Sequence, residues 1–195
     1  KRFVLEVYDN PHGTSKGILS IGRKNGKTGL IAGMVLAHVA GPEAVLNSQI
    51  ISGAMSQKQA ALVFKAARKM VGLAQELRER VRIVPSDYAM YGLSRNVEYR
   101  AIAADGETAQ GLSPILAILD EVGQVKGETD DFVEAIVTSQ GAYDNPLLIL
   151  ISTQAASDRA YLSIEIDDAL TGEDQHTVCH LYAADKDCDL QDESQ

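Results

Sequence analysis

Three short groups of residues carry chemistry. Gly22-Arg23-Lys24-Asn25-Gly26-Lys27-Thr28 meets the phosphate-loop pattern G-x-x-x-x-G-K-[ST] at Gly26, Lys27 and Thr28, with Ile21 at its first position and the glycine one place later. Gly26 lets the backbone approach a phosphate, and the amides of Asn25 to Thr28 converge at a helix amino terminus. Lys27 reaches the outer phosphates and Thr28 offers a hydroxyl to Mg2+. Asp120-Glu121 closes an apolar run far downstream. In phosphate-loop ATPases an acid ending a neighbouring strand holds Mg2+, and a second acid positions and deprotonates the attacking water; Asp120 fits the first role and Glu121 the second. Ser152-Thr153-Gln154 closes another apolar run with groups suited to sensing a γ-phosphate or holding that water. Together they predict a site for ATP and Mg2+.

These groups need a scaffold that brings strand ends together. Pro114-Ile115-Leu116-Ala117-Ile118-Leu119 and Pro146-Leu147-Leu148-Ile149-Leu150-Ile151 are apolar without alternation, the pattern of strands buried on both faces in a parallel sheet covered by helices. Gly17 to Gly22, Gln49 to Ala54, Val81 to Val84, Val97 to Ala103 and Thr177 to Ala184 also read as extended. A helix follows Gly26 through Leu30, Ile31, Met34, Val35 and His38. Ser56 caps a single long helix whose apolar face runs from Ala60 to Leu77, with Lys58, Lys65, Arg68 and Lys69 outside it. The class is α/β, and ligands in such sheets bind beyond the carboxyl ends of the strands.

The chain has 195 residues, 45% hydrophobic and 23% charged, which suits one globular domain and excludes a disordered, collagen-like or coiled-coil chain. No apolar run is long enough to span a bilayer and no signal peptide opens the chain, so a soluble intracellular protein is expected. The net charge of -9 hides an asymmetry, with +8 on residues 1–100 and -17 on residues 101–195. A basic half permits a polyanionic partner on one face, while the global charge argues against coating nucleic acid by charge alone. Cys179 and Cys188 read as free thiols. A zinc site from His176, Cys179, His180 and Cys188 is disfavoured, because a strand sends Cys179 and His180 to opposite faces. Arg78, Arg80 and Arg82 read as a basic helix face, solvated rather than DNA-bound. The acidic stretch from Asp185 to Gln195 reads as a linker or tail.

The three groups together resemble the ATPase domain of the large terminase subunit of tailed phages, from about Gly17 to Asp185. The variant phosphate loop with Arg23 inside it, the approach Ala103 to Pro114 leading into Asp120-Glu121, Ser152-Thr153-Gln154 at the family's coupling motif, and the closing Tyr182 to Asp189 carry the likeness. The resemblance implies an ASCE-type P-loop NTPase with a central, mostly parallel sheet flanked by helices. It implies a motor that couples Mg-ATP hydrolysis to movement of double-stranded DNA into a procapsid in the host cytoplasm. Arg23 and Lys27 would act on the γ-phosphate, Glu121 would be the catalytic carboxylate, Thr28 and Asp120 the metal ligands, and Gly22, Lys24, Asn25, Gly26, Ser152, Thr153 and Gln154 further nucleotide contacts. The partners implied are DNA, a portal protein, the small terminase subunit and a pentameric ring of this chain, with no membrane. An arginine from the neighbouring subunit completes such sites, with Arg95, Arg100 and Arg159 as candidates. Residues 1–184 are then the ATPase domain and residues 185–195 a linker toward a nuclease domain absent here, so DNA cutting is not expected of this chain. Two other readings are a helicase-like ATPase, which would need a second motor domain, and a nucleotide-gated docking module, which would have no use for Glu121.

Overall fold

The computed structural model describes residues 1–104 and 111–183. Part of the approach to the acidic strand and the acidic end with Cys188 lie outside the described residues. From the amino end the elements are α1 (Arg2–Tyr8), β1 (Lys16–Ser20), α2 (Lys27–Ala40), β2 (Gln49–Ala54), α3 (Gln57–Leu73), α4 (Gln75–Arg80), β3 (Val81–Val84), β4 (Ala89–Gly92), β5 (Val97–Ala103), β6 (Pro114–Asp120), α5 (Asp131–Ser139), β7 (Leu147–Ser152), α6 (Tyr161–Leu170) and β8 (Thr177–Leu181). The strands form one sheet in the order β3-β4-β5-β2-β6-β7-β1-β8. From β5 to β8 every pairing is parallel, and only β3-β4 and β4-β5 are antiparallel.

Uninterrupted apolar runs become central strands because both faces of the sheet are covered. Leu116, Ile118, Ile149 and Ile151 join the core under α1, α2 and α3. Their neighbours Ala117, Leu119, Leu148 and Leu150 join the core under α5 and α6. Successive side chains therefore serve different layers, and a polar residue in either register would be buried. Cys179 packs against the second core, whereas His180 turns toward α1, where its Nε2 lies 2.7 Å from Glu6 Oε2. The two side chains that a zinc site would have shared are on opposite faces of β8.

Three expectations need correction. The single long helix is broken at Ala74, whose extended φ of −114° and ψ of 119° end α3 and start α4. Ser56 occupies the cap position, yet its hydroxyl donates to Gln59 Oε1 at 3.3 Å instead of engaging a backbone amide. Arg82 is on β3, not on a helix, and its guanidinium lies 4.7 Å from the Tyr91 ring centroid. Arg78 and Arg80 remain on α4.

One buried polar contact joins β2 to β5: the Ser52 and Tyr99 hydroxyls lie 2.8 Å apart with both residues buried. Tyr99→Phe strands the Ser52 hydroxyl and costs about 1–2 kcal/mol in thermal unfolding. The double variant Ser52→Ala/Tyr99→Phe removes both polar groups and recovers part of that loss.

Candidate functional site

The site is assembled along β7. The expected acidic strand is not the immediate neighbour of β1; β7 lies between β1 and β6. Register places Ser20 beside Ser152 and Ile151 beside Asp120, so all three strands end at one level. The last two carbonyls of β7 then hold the two loops that follow its neighbours. Ser152 O accepts from the Ile21 amide at 3.0 Å, and Ile151 O accepts from the Glu121 amide at 2.8 Å.

From Ile21 the chain turns through Gly22, Arg23, Lys24, Asn25 and Gly26 and enters α2 at Lys27. Gly26 is the cap residue and has a φ of 76°, a left-handed conformation that glycine adopts without steric cost. Lys24 shares that region with a φ of 66°. Asn25 closes the turn by donating its side-chain amide to the carbonyls of Gly22 and Arg23, each at 3.3 Å. Lys27 is 9% exposed and its ammonium donates to the carbonyls of Ile21 at 3.1 Å and Gly22 at 3.2 Å. It also lies 3.9 Å from Glu121 Oε1. Thr28 is half-buried in the first turn of α2.

The acidic end of β6 is electrostatically tense. Asp120 is buried, and its Oδ1 has no hydrogen-bond partner among the described residues. Burial, followed by the adjacent Glu121 charge, pushes its carboxyl up to about 6, with Lys27 acting the other way. A buried carboxylate oxygen without a partner is a ligand suited to a hard divalent cation, and a threonine hydroxyl is another oxygen donor, so the chemistry of Asp120 and Thr28 fits Mg2+. Glu121 follows in a left-handed conformation, φ 61°, which costs a non-glycine residue about 1–3 kcal/mol unless its surroundings hold it. Here the Ile151 carbonyl binds its amide, and its own carbonyl accepts from Gln124 at 3.0 Å.

Ser152 and Gly123 complete the clamp. Ser152 is fully buried, and its Oγ accepts from the Gly123 amide at 2.9 Å. The hydroxyl thus braces the turn behind Glu121. Thr153 and Gln154 go elsewhere: with Arg23, Gln124, Lys126 and Ser157 they line a cleft of about 680 Å3. The structure therefore gathers Lys27, Asp120 and Glu121 at one point and Arg23, Thr153 and Gln154 at an adjoining one. Gly123 belongs to none of the three motifs. Its signal was a glycine two residues beyond the second acid, meaningful only once the turn is known to lie against β7.

Gly123→Ala sets a methyl into the Thr153 carbonyl and 2.7 Å from Ser152 Oγ. The turn carrying Glu121 must move, and nucleotide hydrolysis falls by about 100-fold while Lys27-dependent nucleotide binding persists. Titration of Asp120 gives a second outcome. Its folded-state value is above the ordinary 3.8, so the native chain holds that proton more tightly than the unfolded chain. Its contribution to stability is therefore retained below about pH 4 and lost as pH rises through about 6. Asp120→Asn then stabilises the nucleotide-free chain at pH 7.5 by roughly 1–3 kcal/mol. Thermal melts across pH show the gain vanishing in acid.

Comparison with known proteins places the chain in a family. The family described as terminase large subunit, ATPase domain, matches residues 9–168. Over 190 residues the chain is 63% identical to the terminase large subunit of Enterobacteria phage HK97, covering 97% of this chain and 38% of that protein. The crystal structure of the HK97 large terminase matches with a TM-score of 0.95 and 61% identity over 99% of this chain and 40% of that one. A large terminase from a thermophilic bacteriophage, solved in complex with ADP, shares the fold at a TM-score of 0.64 and 13% identity, covering 91% of this chain and 41% of that one. This chain spans about two fifths of the length of these relatives. A phosphate loop and an acidic strand end clamped to the same strand, within a sequence of this likeness, identify the chain as a member of the terminase large subunit ATPase domain family.

Proposed function

We propose that this chain is the ATP-hydrolysing motor domain that moves double-stranded DNA into a phage procapsid in the host cytoplasm. The observation that carries the reading is the convergence of a buried Lys27, a buried Asp120 and a strained Glu121 at the end of β7. The ADP complex of the thermophilic phage relative supports nucleotide as the ligand. Neither the helicase-like nor the docking reading is favoured by the family or by Glu121.

In this mechanism the β- and γ-phosphates draw Lys27 off the carbonyls of Ile21 and Gly22 and take its ammonium for their own oxygens. The amides around Gly26 hold the same phosphates at the start of α2. Thr28 and Asp120 would hold Mg2+, which would supply charge neutralisation to the phosphate oxygens. Glu121 orients a water in line with the γ-phosphorus and accepts its proton as the new P–O bond forms and ADP departs. Arg23 contacts the γ-phosphate from the loop, with Thr153 and Gln154 across the adjoining cleft to register its loss.

The working assembly is a ring of this chain, a pentamer by family likeness, on a portal protein with the small terminase subunit. No described helix is long and apolar enough to cross a membrane. Of the three arginines considered for a neighbour's site, Arg95 lies in the turn before β5, at the pole away from the nucleotide. Arg100 is engaged with Glu98 at 2.7 Å. Arg159 is exposed in the loop between β7 and α6, at the nucleotide pole, and is the one we assign to that role.

Steady-state ATP hydrolysis with Mg2+ tests the reading. Turnover is slow and rises more steeply than linearly with protein concentration, as expected when a neighbouring subunit completes the site. Lys27→Ala abolishes it, and Glu121→Gln lowers it by about 100-fold or more while ATP stays bound. Hydrolysis that is absent, or indifferent to both substitutions, at every concentration overturns the reading.

A further inference from the structure

The outer face of α3 carries bases that the rest of the molecule leaves without partners. The helix buries Ala60, Ala61, Val63, Phe64, Ala67 and Val71 against the sheet. Lys58, Lys65, Arg68 and Lys69 stand exposed on the other side. At 3.6 residues per turn, Lys58, Lys65 and Lys69 fall within about 40° of one another and extend about 16 Å along the axis, with Arg68 flanking them.

Ordinary solvated helix faces mix signs, because an acid three or four residues from a base forms a weak pair and like charges at that spacing repel. This face does the opposite. No acidic residue occurs between Glu43 and Glu76. Lys65 has Arg68 and Lys69 as its neighbours one turn on, a like-charge cluster. Several bases elsewhere are engaged: Arg2 with Glu6, Lys16 with Glu165, Arg100 with Glu98, and Arg82 with the Tyr91 ring. None of the four α3 bases forms an ion pair or side-chain hydrogen bond with a described residue. The helix thus bears repulsion that nothing within the described chain relieves.

We propose that this stripe is a contact surface for the phosphate backbone of double-stranded DNA. The inference rests on the packaging reading above and adds the residues that would touch the duplex. A line of cations on a convex helix has no concavity for a small anion, whereas it addresses several phosphates of an extended polyanion together. Its place also suits a motor. Ala54, the last residue of β2, pairs in register with Asp120, so α3 starts at the level of the catalytic acids. Its inner side packs on α2, the helix that starts in the phosphate loop. One helix separates the stripe from the nucleotide.

The test measures binding of a fluorescein-labelled random-sequence duplex to the chain by anisotropy over a salt series. The triple variant Lys58→Ala/Lys65→Ala/Lys69→Ala binds more weakly, and its plot of log affinity against log salt is less steep by about 3, one unit for each lost phosphate contact. The triple Lys→Arg variant restores the native slope, and both variants retain the native chain's basal ATP turnover. A native slope in the alanine variant overturns the surface while leaving the DNA motor reading intact. Failure of the native chain to bind duplex at low salt overturns both. Stripe-dependent capture of a poly-glutamate peptide without duplex binding assigns the face to an acidic protein and overturns the proposal.

Discussion

The position of β7 between β1 and β6 is the constraint on which the site depends. All six of its residues are buried, and its register fixes the ends of both neighbours at one level. Its last two carbonyls each hold the first amide of a functional loop, one belonging to the phosphate loop and one to Glu121. Backbone hydrogen bonds in a dry sheet are directional and costly to leave unmade, so this spacing is among the least deformable in the molecule. The distance between Lys27 and the acids is therefore set by a strand that contributes no ionisable group of its own.

Around that rigid seam the site holds charge under tension. Asp120 keeps a carboxylate oxygen without a partner, Glu121 adopts an unfavourable backbone conformation, and Lys27 divides its attention between two carbonyls and a carboxylate 3.9 Å away. A core selected only for stability would avoid each of these. They persist because the strained turn is held by Ile151, Ser152 and Gly123, whose contacts are ordinary and strong.

Much of the scaffold was legible from residue order, because doubly buried strands cannot alternate. The bounds expected for β2, β3 and β5 are those observed, and the Asp120-Glu121 pair does close a central strand. Other features depended on tertiary context. A helical apolar period runs unbroken past Ala74, so no local pattern marks the single extended residue that separates α3 from α4. β4 is four residues long, and its antiparallel direction is a property of the hairpin rather than of its composition. Ser152 read as a nucleotide contact because, with Thr153 and Gln154, it closes an apolar strand with groups suited to a γ-phosphate or the attacking water. Its burial follows from a turn of β6 that no local pattern around position 152 encodes. The chain order of motifs likewise concealed that β7 separates the phosphate-loop strand from the acidic one.

The bonds from Lys27 to Ile21 and Gly22 bear on what happens after cleavage. A cation buried with no internal partners would cling to the departing phosphate, and the slow step would become the escape of product. Here the ammonium has two carbonyls to return to, from residues in the same loop. Under the proposed function, return of the ammonium to these carbonyls would offset the loss of the anion as it leaves. In the cycle proposed above, the same carbonyls would compete with incoming nucleotide and with product alike, trading affinity for ease of release.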